Sequence, residues 1–212
     1  MRKGLYNKET NVAQHLFLKG CDYMPRNFMF TKEEIIAAAV SLTREKGFQA
    51  LTARALGERL GSSPKPIFGL FENMAEVQKE VLSAAYLIYT DYLKNGVESG
   101  EYPPYKASGM AYIRFAREEK ELFKLLFMRD RSAENTADSG EELKEIVKLL
   151  VKNLKISEEK ARMFHLEMWI YVHGIAVMLA TSYLEWQEDF ISRVLTDAYS
   201  GLKYRYCKES EG

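Results

Sequence analysis

Cysteine is nearly missing: Cys21 and Cys207 are the two in 212 residues, near opposite ends of the chain. A structural zinc site needs four ligands, and a stapled fold needs several paired thiols, so neither is available. The pair reads as incidental thiols in a reducing compartment. Proline (five) and glycine (thirteen) are also scarce. With abundant Glu, Lys, Leu, Ala and Met, that scarcity favours helices. Long apolar runs are lacking as well. The longest, Met168–Ala180, is interrupted by His173 and Gly174 and is too short to span a bilayer. The first residues offer Arg2 and Lys3, then Asn11, Gln14 and His15, a poor secretory signal. A soluble, cytoplasmic protein without membrane contact is expected.

Catalytic signatures are missing too. There is no Gly-rich phosphate loop, no nucleophile–His–acid motif and no HExxH pair, so no enzyme and no cofactor is expected. His165 and His173 have no further His or Cys at ligand spacing, which argues against a metal. Net charge is zero, yet unevenly spread: residues 1–75 carry eleven basic and seven acidic side chains, and the remainder is acidic by the same margin. A basic front suits contact with phosphates.

What is present is apolar periodicity of the helical kind, with no period-two stretches and no internal repeat. Residues 1–30 show no period and read as a mobile arm or leader. Thr31 can cap a helix whose first turn holds Glu33 and Glu34. Ile35, Ala39 and Leu42 follow at helical spacing, and Gly47 stops the run. Thr52 caps a second helix through Leu60, ended by Gly61. Ser62–Ser63 form a turn, and Ser63 caps a third, short helix with Pro64 at its first position. Two short helices joined by a glycine-containing turn make a helix-turn-helix. A fourth helix spans about Asn73–Lys94. Others are expected over Tyr105–Arg117, Glu119–Arg129, Gly140–Leu154, Ser157–Glu185 and Glu188–Tyr206. The fold class is all-α, with a three-helix helix-turn-helix domain over 31–75 and a second helical domain over 76–212.

The stretch "IIAAAVSLTREKGFQALTARALGERLGSSPKPIFGLFENMAEV" resembles the DNA-binding domain of the tetracycline-repressor-like (TetR) family. Ala38, Ala39, Gly47-Phe48, Thr52, Gly61-Ser62-Ser63, Phe68 and Phe71 carry the resemblance. Phe68 replaces the family's usual Tyr, Met74 a common Lys, and Leu70 a polar or aromatic residue. "WIYVHG" at Trp169–Gly174, preceded by "YIRFAREEKELFKLLF", is similar to the subgroup whose C-terminal domain carries Trp, His and Gly. The resemblance implies a transcription regulator, a repressor by preference, whose hold on double-stranded operator DNA responds to a small molecule. Two readings stay beside it: an architectural DNA binder without effector, and a helical dimerisation or adaptor module.

Candidate DNA contacts are Thr52, Arg54, Ser62, Ser63, Lys65, Pro66 and Phe68, since the second helix of such a pair enters the major groove N-terminal end first and helix N-termini attract phosphate. A Met- and Phe-rich interior suits an adaptable pocket for an apolar or aromatic effector. Its expected lining is Tyr112, Phe115, Phe123, Phe127, Trp169, Tyr171, His173 and Met178. Ile191, Leu195, Ala198 and Leu202 form a stripe on the last helix. Together with the nearly all-apolar Ser157–Glu185 helix, that stripe is the expected homodimer interface.

Overall fold

A computed structural model describes residues 29–130 and 140–208. Among them are eight α-helices and no strand: α1 (Lys32–Lys46), α2 (Ala53–Arg59), α3 (Met74–Glu98), α4 (Pro104–Glu118), α5 (Lys120–Phe127), α6 (Gly140–Leu154), α7 (Glu158–Ala180) and α8 (Glu188–Lys208). The expected arm over 1–30 lies almost wholly outside the described residues, as does Cys21.

The chain divides into two compact units. The first takes the described residues up to Thr90 with Glu121–Phe127; the second takes Asp91–Lys120 and the described residues from Met128. Helix α3 therefore begins in one unit and ends in the other, and the sequence boundary at 75/76 falls inside its first turn.

In the first unit, α1 starts on a complete capping box. The Thr31 hydroxyl accepts from the Glu34 backbone N–H at 3.1 Å, and the Glu34 carboxylate accepts from the Thr31 N–H at 2.8 Å. Ile35, Ala39 and Val40 are buried from α1 and meet Leu51, Leu56, Ile67 and Phe71 in a core closed by Val77 and Val81 of α3. Gly47 ends α1 with φ +79, a conformation that glycine adopts without a Cβ penalty. Helix α5 adds Leu122, Phe123, Leu125 and Leu126, and the Phe127 ring meets Tyr89 of α3 edge-on at 5.1 Å.

The second unit is built on α7, which packs against α4, α6 and α8. Phe164 is fully buried on α7, within ring contact of Tyr105, Tyr199 and Tyr206. The last turns of α3 lie tightly on α4: a Cβ at Gly96 would fall 2.6 Å from that of Ala111, and the Tyr92 hydroxyl donates to Glu118 at 2.8 Å. Helix α7 is longer than the interrupted apolar run implied. By length and composition alone it could cross a membrane; in this fold it is the central helix of its unit. It stops at Ala180, and Thr181 closes it by donating to Val177 O, so the expected extension to Glu185 is a loop instead.

Candidate nucleic-acid interface and apolar groove

Thr52 begins α2 as expected: its hydroxyl accepts from the Ala55 N–H at 3.2 Å. Arg54, in the first turn, is 88% exposed and pairs with Glu58 one turn on at 2.9 Å. A pair this exposed holds weakly and releases readily toward a stronger anion. Arg59 is committed elsewhere. Its guanidinium reaches Glu45 and Ser41 of α1, binding α1 to α2, and that hydrogen bond holds the Glu45 carboxyl below its ordinary range.

The turn after α2 depends on two glycines. Gly61 has φ +65 and terminates α2. Gly57 was not singled out in the sequence, yet the turn folds directly onto it: a Cβ there would lie 3.0 Å from Ser62 O and 3.1 Å from Pro64 N. A glycine inside a seven-residue helix was the available signal.

The expected third helix is the main local correction. Ser63 and Pro64 do not open an α-helix; the segment is extended and turned, with one 3-10 turn at Ile67–Gly69. Pro66 is the physical reason. Its ring disfavours helical backbone at Lys65, the residue before it, which interrupts the helix that Pro64 would open. The 3-10 turn sorts its neighbours sharply. Ile67 and Phe71 are buried, whereas Phe68 remains 45% exposed and Lys65 is exposed. Ser63 is also exposed, while Ser62 and Pro66 are half-buried.

Behind this surface, Lys32 of α1 sits 4.9 Å from the Phe71 ring centre and 3.4 Å from Glu76. Glu76 in turn accepts from the Glu72 N–H at 2.7 Å. That backbone bond first, then Lys32, lowers the Glu76 carboxyl below its ordinary range. The start of α3 is thereby tied to α1 within the same unit.

The eight residues expected to line an effector pocket fall in both units. Phe123 and Phe127 belong to the first unit, 5.2 Å apart, with Phe123 in its core. The other six are in the second unit. There Phe115 and Tyr112 are core residues, and the Tyr112 hydroxyl lies 2.9 Å from His173 Nδ1. Tyr105 and His165 repeat that pairing at 3.1 Å two turns earlier. Burial lowers the pKa of both histidines. Trp169 stacks on His173 at 4.7 Å with an interplanar angle of 9° and is half-exposed. Periodicity reports burial, not which neighbours share a cavity.

Tyr171 and Met178 do line a concave site, an apolar groove of about 320 Å³ between α7 and α8. Ile170, Gly174 and Ile175 complete the α7 side; Trp186, Phe190, Ile191 and Val194 form the other. None of these seven was expected as lining. The loop between the helices and the start of α8 are held from α4 and the first residue of α5: Arg117 donates to the Trp186 carbonyl at 2.7 Å, Lys120 to Ser182 at 2.8 Å, and Arg114 to Glu188 at 2.6 Å.

Ile191 and Leu195 are buried inside their own subunit, and Ala198 and Leu202 are half-buried. Helix α8 turns that face onto its own α7, which leaves a different apolar row outward: Met163, Leu166 and Ile170 on α7.

Two family models match the chain. Residues 35–81 match the model described as bacterial regulatory proteins, tetR family. Residues 105–198 match a tetracyclin repressor-like C-terminal domain. No curated protein matches. The first match covers α1, α2, the exposed turn and the start of α3; the second covers α4 to the middle of α8. An N-terminal helix-turn-helix unit followed by a helical C-terminal domain, each matched separately and in the family's order, places this chain in the TetR family of DNA-binding transcription regulators.

Proposed function

We propose that the protein is a homodimeric repressor that binds palindromic operator DNA in the cytoplasm and loosens its hold when a small apolar or aromatic effector binds. The observation that carries the DNA reading is the sorting of side chains around the 3-10 turn. Ile67 and Phe71 anchor the segment in the core, and Lys65 and Phe68 are left facing outward. A half-exposed ring beside an exposed lysine has no packing reason within the subunit; against a duplex the lysine meets phosphate or a guanine edge and the ring packs on the sugar-phosphate backbone. Thr52 and Arg54 at the start of α2, with Ser62, Ser63 and Pro66 shaping the turn, supply further backbone contacts.

One such turn reads few base pairs, so a two-fold pair about one helical turn apart (~34–36 Å) is needed for a usable site. The outward row Met163, Leu166 and Ile170 supports pairing through α7 with α8 beside it, because contiguous exposed apolar surface on a protein of this size marks an interface. Effector control would act as a free-energy coupling of about 1–3 kcal/mol between the two sites. The test is selection of bound duplexes from a random pool by the full-length protein, followed by titration of the enriched sequence. A palindromic consensus bound by a dimer is expected; enrichment of no sequence would leave an architectural binder, and no DNA binding at all an adaptor.

A further inference from the structure

We propose that the turn after α2 reads a guanine in each half-site through Lys65, and a neighbouring thymine through the two prolines that flank it. This assignment rests on the DNA reading above and adds which base edges are read.

What the turn lacks decides the bases. Between Gly61 and Phe71 there is no Asp, Glu, Asn, Gln, His or Arg. In the major groove cytosine and adenine present amino donors, which carboxylate and amide side chains recognise. The nearest such groups lie outside the segment and are engaged. Glu58 stands on α2 and pairs with Arg54, and Asn73 Oδ1 accepts from the Glu76 N–H at 3.1 Å. Guanine instead presents two acceptors, O6 and N7, and thymine presents a methyl group. Those edges call for a long donor and an apolar surface, and the turn carries both.

Lys65 is the donor. It is exposed, and no hydrogen bond or ion pair holds it among the described residues. Most other donors of the turn are occupied or missing. Pro64 and Pro66 have no N–H. The backbone N–H groups of Ser62, Ile67, Gly69, Leu70 and Phe71 bond within the unit at 2.9 to 3.2 Å. The Ser63 hydroxyl can donate or accept, so it discriminates little between bases.

Position favours a base edge over a phosphate for this lysine. The second element of such a unit enters the major groove N-terminal end first. Lys65 stands at that end, ahead of Phe68, while Thr52 and Arg54 open α2. Pro64 and Pro66 are half-buried, and their side chains present only CH2 groups beside the lysine. Their rings fix φ on both sides of it, with Pro66 at φ −61 and ψ −30. A lysine carried between two fixed residues loses less freedom when it binds. The same CH2 surface suits the methyl of a thymine in an adjacent base pair.

The experiment takes the full-length protein and the palindromic duplex it selects from a random pool. Each guanine of the half-site is replaced in turn by 7-deazaguanine, which lacks N7, and each thymine by uracil, which lacks the methyl. The same change is made in both half-sites, and affinity is read by fluorescence anisotropy. One 7-deazaguanine position should weaken wild-type binding about tenfold or more. A neighbouring uracil position should weaken it about fourfold per half-site. Lys65→Met keeps an unbranched stem without the charge; it should bind the parent and 7-deazaguanine duplexes equally and still sense uracil. A half-site without a G·C pair, no guanine-sensitive position, or a sensitivity that Lys65→Met retains overturns the lysine assignment while DNA binding stands. Where Lys65→Met binds too weakly to titrate, the wild-type titrations decide. Uracil duplexes bound as tightly as the parent overturn the thymine assignment. A pool from which no sequence is enriched fails the DNA reading itself and takes both assignments with it.

Discussion

Replacing Lys65 with alanine tests the DNA reading with little disturbance to the fold. The side chain is exposed, and no hydrogen bond or ion pair holds it among the described residues. Its loss should change folding stability by no more than about 0.5 kcal/mol. The effect on operator binding follows from counterion release. Each phosphate neutralised contributes about 0.9 to the slope of log affinity against log salt, so a dimer that loses one contact per subunit loses about 1.8. Referred to 1 M salt, that is about 60-fold weaker binding at 0.1 M and about 10-fold at 0.3 M. If Lys65 instead meets a guanine edge, the slope holds and discrimination at one base pair per half-site relaxes by about 1–3 kcal/mol. Fluorescence anisotropy of a labelled operator over a salt series separates the two, with circular dichroism confirming helicity. A Lys65→Ala protein with wild-type affinity, slope and sequence preference would refute placement of this turn on the DNA.

Ile67→Ala should behave oppositely to Lys65→Ala: the side chain is fully buried, so about 2–5 kcal/mol of stability is lost, visible as a lower Tm. Ile170→Glu and Leu195→Glu separate the two candidate dimer faces. The first places a charge on an outward side chain and should yield folded monomers by sedimentation; the second buries a charge and should unfold the chain. A stable, DNA-competent dimer from Ile170→Glu would count against pairing through α7. Burial lowers the pKa of His165 and His173, so the folded state binds fewer protons than the unfolded state just below pH 6.5. Their contribution is fully present above about pH 6.5 and is lost as pH falls through the lowered folded values. The Tm should therefore drop between pH 7 and pH 5, and the drop should shrink in His165→Gln/His173→Gln; an equal drop in that variant would assign it to other groups.

Local chemistry was the most legible part of the fold. Thr31 with Glu34, Thr52, Gly47 and Gly61 mark helix ends by mechanisms confined to four or five residues, and each sits where the sequence placed it. The second half of the helix-turn-helix was harder because two rules compete within three residues. Pro64 favours a helix start, Pro66 disfavours helical backbone at the intervening Lys65, and the outcome is a single 3-10 turn. Gly57 escaped notice because its role is set by contact with Ser62 and Pro64, which no period reveals.

The helical face of Ile191 and Leu195 illustrates the deeper limit. An apolar row at helical spacing states that one side of α8 must leave water; it does not say whether the cover comes from α7 of the same subunit or from another molecule. In the structure α4 and α7 pack on α8 and Ile191 and Leu195 are buried, while Met163, Leu166 and Ile170 stay exposed on a helix whose composition gave no direction because it is apolar nearly all round. Helices α4, α6 and α8 pack against α7 and bury Phe164, Met168 and Ile175, while a strip of α7 stays exposed. Gly174 lies beside that strip, at the mouth of the groove. The surface on which subunits would pair and the concavity in which a ligand would sit are therefore neighbouring parts of one helix. In the proposed dimer a molecule bound there would act on subunit pairing directly, whereas one buried at Phe115 would have to displace packed core to be felt at all.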